Sequence, residues 1–172
     1  MPETSSETAR PADPVGRALH FCSYVLILVG GFLMAALTVM SVISVLGRYL
    51  FSAPVSGDFE LVTMGTAIAV FLFLPYCHLQ RGNVVVDLFL SWAPRRVQAF
   101  FDGASGLLLA AIAGVLSWRM VEGGLDMHRY HEVSYILALP IWPVFPVAVL
   151  ALALLAASCL YTAVRDFGET MR

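Results

Sequence analysis

The residues able to do chemistry are few, and their spacing is poor for it. Four histidines stand at His20, His78, His128 and His131. Two imidazoles facing each other inside a helical bundle could ligate a haem iron. His20 and His78 instead fall at the ends of apolar segments. His128 and His131 are three apart, a spacing that could suit a metal, but Asp126, Arg129 and Glu132 make the surroundings read as a solvated charged loop. The three cysteines, Cys22, Cys77 and Cys159, form no Cys-x-x-Cys pair, and each lies in an apolar run. That argues against a disulfide framework, a zinc site or a membrane thiol oxidoreductase. No nucleophile–base pair, phosphate-binding loop or glycine fingerprint is visible. The sequence assigns no catalytic, cofactor-binding or metal-ligating residue, and reads as a chain that is not an enzyme and carries no cofactor.

What positions these side chains is a membrane. Of 172 residues, 59% are hydrophobic and 13% charged, with a mean hydropathy of +0.82. A soluble domain is about 45–50% apolar and about 25% charged. The apolar content also excludes disorder. The net charge of −2 offers no basic footprint for nucleic acid. The expected fold is an all-α integral membrane protein.

A hydrocarbon core of about 30 Å takes about 20 helical residues. Four spans meet that length, over about 21–46, 59–77, 97–118 and 143–164. The first is too long for the apolar region of a cleaved signal peptide, and its flank mixes Glu3, Glu7 and Asp13 with Arg10 and Arg17. Residues 1–12, rich in Ser, Thr, Pro and Glu, read as a disordered cytoplasmic tail, and 13–168 as one four-span domain. Asp13-Pro14 is a helix-start signal. Pro75 is expected to kink or end the second helix, and Pro140, Pro143 and Pro146 to delay the fourth until near Pro143 or Pro146.

Arginine sets the orientation. Arg10, Arg17, Arg81, Arg95, Arg96, Arg165 and Arg172 fall in the tails and the middle connection, against Arg48, Arg119 and Arg129 in the other two connections. This bias puts both termini in the cytoplasm. Trp92, Trp118 and Trp142 fall at span ends, as membrane-interface anchors do.

The middle connection is too apolar for a solvated loop. Over about 83–93 only Asn83, Asp87 and Ser91 are polar, and Asp87 and Ser91 share one helical face. A short cytoplasmic interfacial helix is expected there, with Arg95 and Arg96 reaching lipid phosphates; an irregular re-entrant segment is the alternative. Small residues recur at helical spacing as Gly65 and Ala69, and as Gly106, Ala110 and Gly114. In lipid, close backbone contact is what brings helices together, so these mark seams, internal or with a partner. No Asp, Glu or Arg falls at mid-depth of any span, where ionisable groups mark ion or solute pathways.

The run Arg48-Tyr49-Leu50-Phe51, then Ser56-Gly57-Asp58-Phe59-Glu60-Leu61, then Leu74-Pro75-Tyr76-Cys77-His78-Leu79-Gln80-Arg81-Gly82-Asn83-Val84-Val85-Val86-Asp87 resembles the small permease subunit of tripartite ATP-independent periplasmic (TRAP) transporters, the DctQ-like family. The likeness covers about residues 20–165. Asn83 stands where the family often has histidine, and Asp58-Phe59-Glu60 where it often has tryptophan and a pair of acids. The resemblance implies a subunit in the bacterial inner membrane, paired with a large permease that holds the substrate and sodium sites. A periplasmic solute-binding protein would deliver the solute, commonly an organic acid. Arg48, Asp58 and Glu60 would be structural or interface groups near the periplasmic side, and a local Arg48–Glu60 ion pair is the simpler reading. The competing functions are a small membrane redox or cofactor protein, which rests only on the His and Cys content, and a self-assembling channel, which rests on the small-residue faces.

Overall fold

The computed structural model describes residues 14–52, 55–80 and 95–170, with side chains described at 14–52, 55–80, 101 and 103–164. The expected tail over 1–12 and the expected interfacial helix over about 83–93 lie outside the described residues, as do Asp87 and Trp92.

Among the described residues the fold comprises four helices, each with a stretch apolar and long enough to cross a bilayer. They are α1 (Pro14–Phe51), α2 (Asp58–Leu79), α3 (Arg95–Arg129) and α4 (Val144–Thr170). The helices exceed the apolar windows read from sequence. The reason is that nothing in the flanks stops a helix: Pro14 occupies a first-turn position where it costs no hydrogen bond, and Arg119 and Glu122 are compatible with helix. α1 has 38 residues, about 57 Å at about 1.5 Å each, well beyond a hydrocarbon core. α2 has 22, about 33 Å, and only just spans one.

Pro75 neither ends α2 nor isolates itself from the fold. The helix runs on to Leu79, and the proline ring is fully buried between neighbouring elements. In a membrane bundle, neighbouring helices can compensate the lost backbone bond. α4 begins at Val144, directly after Pro143, with Pro146 in its first turn, where a proline lacks no partner.

Among the described residues the helices stand in the row α1, α2, α4, α3, with slight contact between α1 and α4. Sequence neighbours α2 and α3 are not spatial neighbours. The buried edge of α1 repeats every seven residues, at Gly16, Ser23, Gly30 and Ser44. Leu37 fills the remaining place in that series. A seven-residue repeat keeps one edge of a helix toward its partner over many turns. Thus Gly30 lies on Phe73 and Leu72, Leu37 on Gly65, and Ser44 beside Asp58. The core proper sits on the other side of α2. Ala113, Leu152, Leu155 and Cys159 are buried there, with Phe71, Leu109 and Ala110 packed against them.

Candidate functional site

Among the described residues, a cluster of charged and hydrogen-bonded side chains gathers at the end of the bundle that carries the 52–57 and 130–143 connections, called the outer end. There α1 and α2 are joined by a short polar chain. Ser44 Oγ donates to Asp58 Oδ2 at 2.5 Å, and Arg48 Nη2 stands 3.6 Å from the same oxygen. Asp58 Oδ1 accepts the Phe59 amide at 2.7 Å. The carboxylates of Asp58 and Glu60 both lie in the first turn of α2, where the free amides and the helix dipole favour negative charge.

The simple Arg48–Glu60 pairing is not what forms. Arg48 pairs with Asp58, and Glu60 points to the other connection. Its two oxygens accept the amides of Ile136 and Leu137 at 2.9 and 3.1 Å. Two adjacent backbone N–H groups aimed at one carboxylate make a small anion nest. Leu137 also covers Gly57, whose φ of 77° is left-handed; a side chain there would overlap the leucine.

The 130–143 connection is a small hairpin. Ser134 N–H donates to Leu139 at 2.9 Å, Ile141 N–H donates to Glu132 at 3.3 Å, and Val133 bridges Pro140. At its foot His128 and Trp142 meet edge-on, with ring centroids 5.3 Å apart. His128 lies in the last turn of α3, not in a loop, and contacts His131 edge-on at 6.2 Å. Among the described residues no three His, Cys, Asp or Glu side chains group as metal ligands do.

Arg119 and Arg129, assigned by sequence to a connection, are on α3. Arg119 pairs with Glu122 at 2.8 Å, and Trp118 Nε1–H donates to the same carboxylate at 2.9 Å. All three face outward. Trp118 therefore sits within α3, which runs on for eleven residues to Arg129, and not at a helix end. Trp142 does stand at the start of α4. At the opposite end His78 Nε2 lies 3.0 Å from Thr162 Oγ1. Because the Thr162 hydroxyl donates to the Cys159 carbonyl, the imidazole supplies the proton, tying α2 to α4.

The Gly106, Ala110, Gly114 series divides. Gly106 lies against Ala163 and the Cys159 carbonyl, and Ala110 packs on the chain's own core. Gly114 has open space where a side chain would be. Residues four apart drift around a helix by 40° per step, so a face that starts inside the bundle ends outside it. Arg95 and Arg96 open α3; their side chains lie outside the described residues. Sequence reasoning missed Ser44, Gly57 and Leu137. Only the Ser-Gly-Asp turn hinted at the second.

A row of apolar helices whose polar groups latch its own connections defines a multi-pass helical membrane protein. More narrowly, the chain belongs to the DctQ component family of the tripartite ATP-independent periplasmic transporters, whose family model matches residues 37–169. No curated protein and no solved structure matches it. Membership makes it a multi-pass component of a transporter in the bacterial inner membrane. The family is not one of enzymes, and works within a tripartite system containing a large permease and a binding protein.

Proposed function

We propose that this chain braces the large permease in the bilayer during ion-coupled uptake of a solute, an organic acid delivered by a periplasmic binding protein. Both termini are cytoplasmic in this reading, and the outer end is periplasmic. The observation that carries it is the open flank of the row. The most apolar stretch of α1 is only 6% buried and that of α3 11%, so each presents a long apolar face to lipid or to a second protein. Phe32, Val39 and Ile43 line the open face of α1, and Gly114 and Val115 that of α3. The described ionisable groups on α2 cluster at its first and last turns, which suits a support and not a pathway. Sodium and solute sites then belong to the partner, while Arg48, Asp58 and Glu60 keep the outer end rigid enough for docking.

The test is uptake in proteoliposomes under a sodium gradient. The chain alone should move no solute, and the chain with its permease and binding protein should. Uptake by this chain alone, or unchanged uptake by the permease without it, would refute the proposal.

A further inference from the structure

The 130–143 hairpin is apolar where a solvated connection should be polar. Between Glu132 and Arg165 there is no Asp, Glu, Arg or His, so the hairpin is chemically continuous with α4. Three observations fix what surrounds its tip. First, α2 is only 22 residues long, about 33 Å, with no length to spare over a core of about 30 Å. Its first turn therefore stands at the membrane boundary. Glu60, in that turn, holds the Ile136 and Leu137 amides at 2.9 and 3.1 Å, which pins the tip at the same level.

Second, the tip divides by face. Leu137 turns inward onto Gly57, whereas Tyr135 is fully exposed and Ile136 is 65% exposed. A phenol beside a branched alkyl group is suited to the layer where headgroups meet acyl chains, because the ring buries its body and wets its hydroxyl. Third, several of the tip's amides are satisfied without water: Ser134 N–H donates to the Leu139 carbonyl, and Glu60 accepts the Ile136 and Leu137 amides. Beside hydrocarbon an unpaired amide is costly, so amides held in this way suit a tip at the membrane boundary.

We infer that the hairpin is a membrane-boundary anchor whose Tyr135 and Ile136 insert into the lipid headgroup and upper acyl layer, with Glu60 supplying the hydrogen bonds that water does not. The occupant is the bilayer itself. The inference needs only that the four helices span a membrane, and it stands or falls separately from the bracing role.

Spin labelling tests it in the complex with the permease, reconstituted in bilayers. With Cys22 and Cys77 replaced by alanine, a nitroxide is attached at Tyr135→Cys or, in a second variant, Ile136→Cys. Both positions are exposed, so neither label disturbs packing. Collision with dissolved oxygen, which concentrates in lipid, is compared with collision with a water-soluble nickel chelate. The expected oxygen-to-nickel ratio at both sites is several-fold higher than at Glu132→Cys on the hairpin's stem. Adding Glu60→Gln should lower the ratio at Tyr135→Cys toward the stem value. A ratio equal to that at Glu132→Cys would show the tip in water, and low collision with both reagents would show it covered by protein; either overturns the inference.

Discussion

Glu60 reaches across 76 positions of sequence to accept the Ile136 amide at 2.9 Å. That single carboxylate, with its second oxygen on Leu137, connects the α1–α2 corner to the α3–α4 connection. Among the described residues it is a long-range polar tie at the outer end, as the His78–Thr162 contact is at the other. Glu60→Gln keeps the size but replaces one acceptor oxygen by a donor that cannot serve an N–H. Amide exchange at Ile136 and Leu137 should quicken several-fold in the variant, and the melting temperature of the purified protein should fall. Unchanged exchange would remove Glu60 from this role.

Gly57 combines a left-handed φ of 77° with Leu137 packed where a side chain would go. Gly57→Ala should cost about 1–2 kcal/mol in backbone strain alone, plus the overlap. Adding Leu137→Ala should recover the overlap but not the strain. A double variant whose melting temperature is lower by the sum of the two single effects would mean the residues do not touch.

The two neighbouring glycines of α1 should behave oppositely. A Cβ at Gly30 would stand 2.6 Å from Phe73 Cε1 and 3.2 Å from Leu72 Cβ, whereas Gly31 has nothing within 4 Å. Gly30→Ala should therefore destabilise by about 1–3 kcal/mol, as overpacking does. Gly31→Ala should lie within about 0.5 kcal/mol of the parent, as outward substitutions do. Thermal unfolding in one detergent compares them, and equal losses would contradict the α1–α2 register.

Asp58 should matter more than Arg48. The carboxylate holds the Ser44 hydroxyl and the Phe59 amide as well as the guanidinium, while the guanidinium is largely solvated at 3.6 Å. Exposed ion pairs contribute little once solvent screens them. Asp58→Ala should lower the melting temperature clearly, and Arg48→Ala barely. The reverse order would make the ion pair the principal contact.

Charge placed at Ala110 should damage the subunit itself, because Ala110 packs on its own core. Gly114→Leu, by contrast, should leave the fold intact and weaken co-purification with the large permease. Recovery of a normal complex from Gly114→Leu would show that this part of α3 faces lipid.

The sequence by itself determined the membrane class and the number of spans. Bilayer thickness converts directly into apolar length, and runs such as Phe21–Leu46 have no competing explanation. It also carried the family, because Arg48 to Phe51 and Asp58 to Glu60 keep their order along the chain. The tertiary structure decided what spacing does not encode. It placed α4 between α2 and α3, turned Gly114 outward while Gly106 and Ala110 stayed inside, and gave Arg48 to Asp58 while Glu60 took the hairpin. The reason is common to all three. In a bilayer every face of these helices is apolar enough to meet either lipid or protein, so periodicity cannot distinguish them. Close approach at small residues and a few hydrogen bonds between distant segments make the choice.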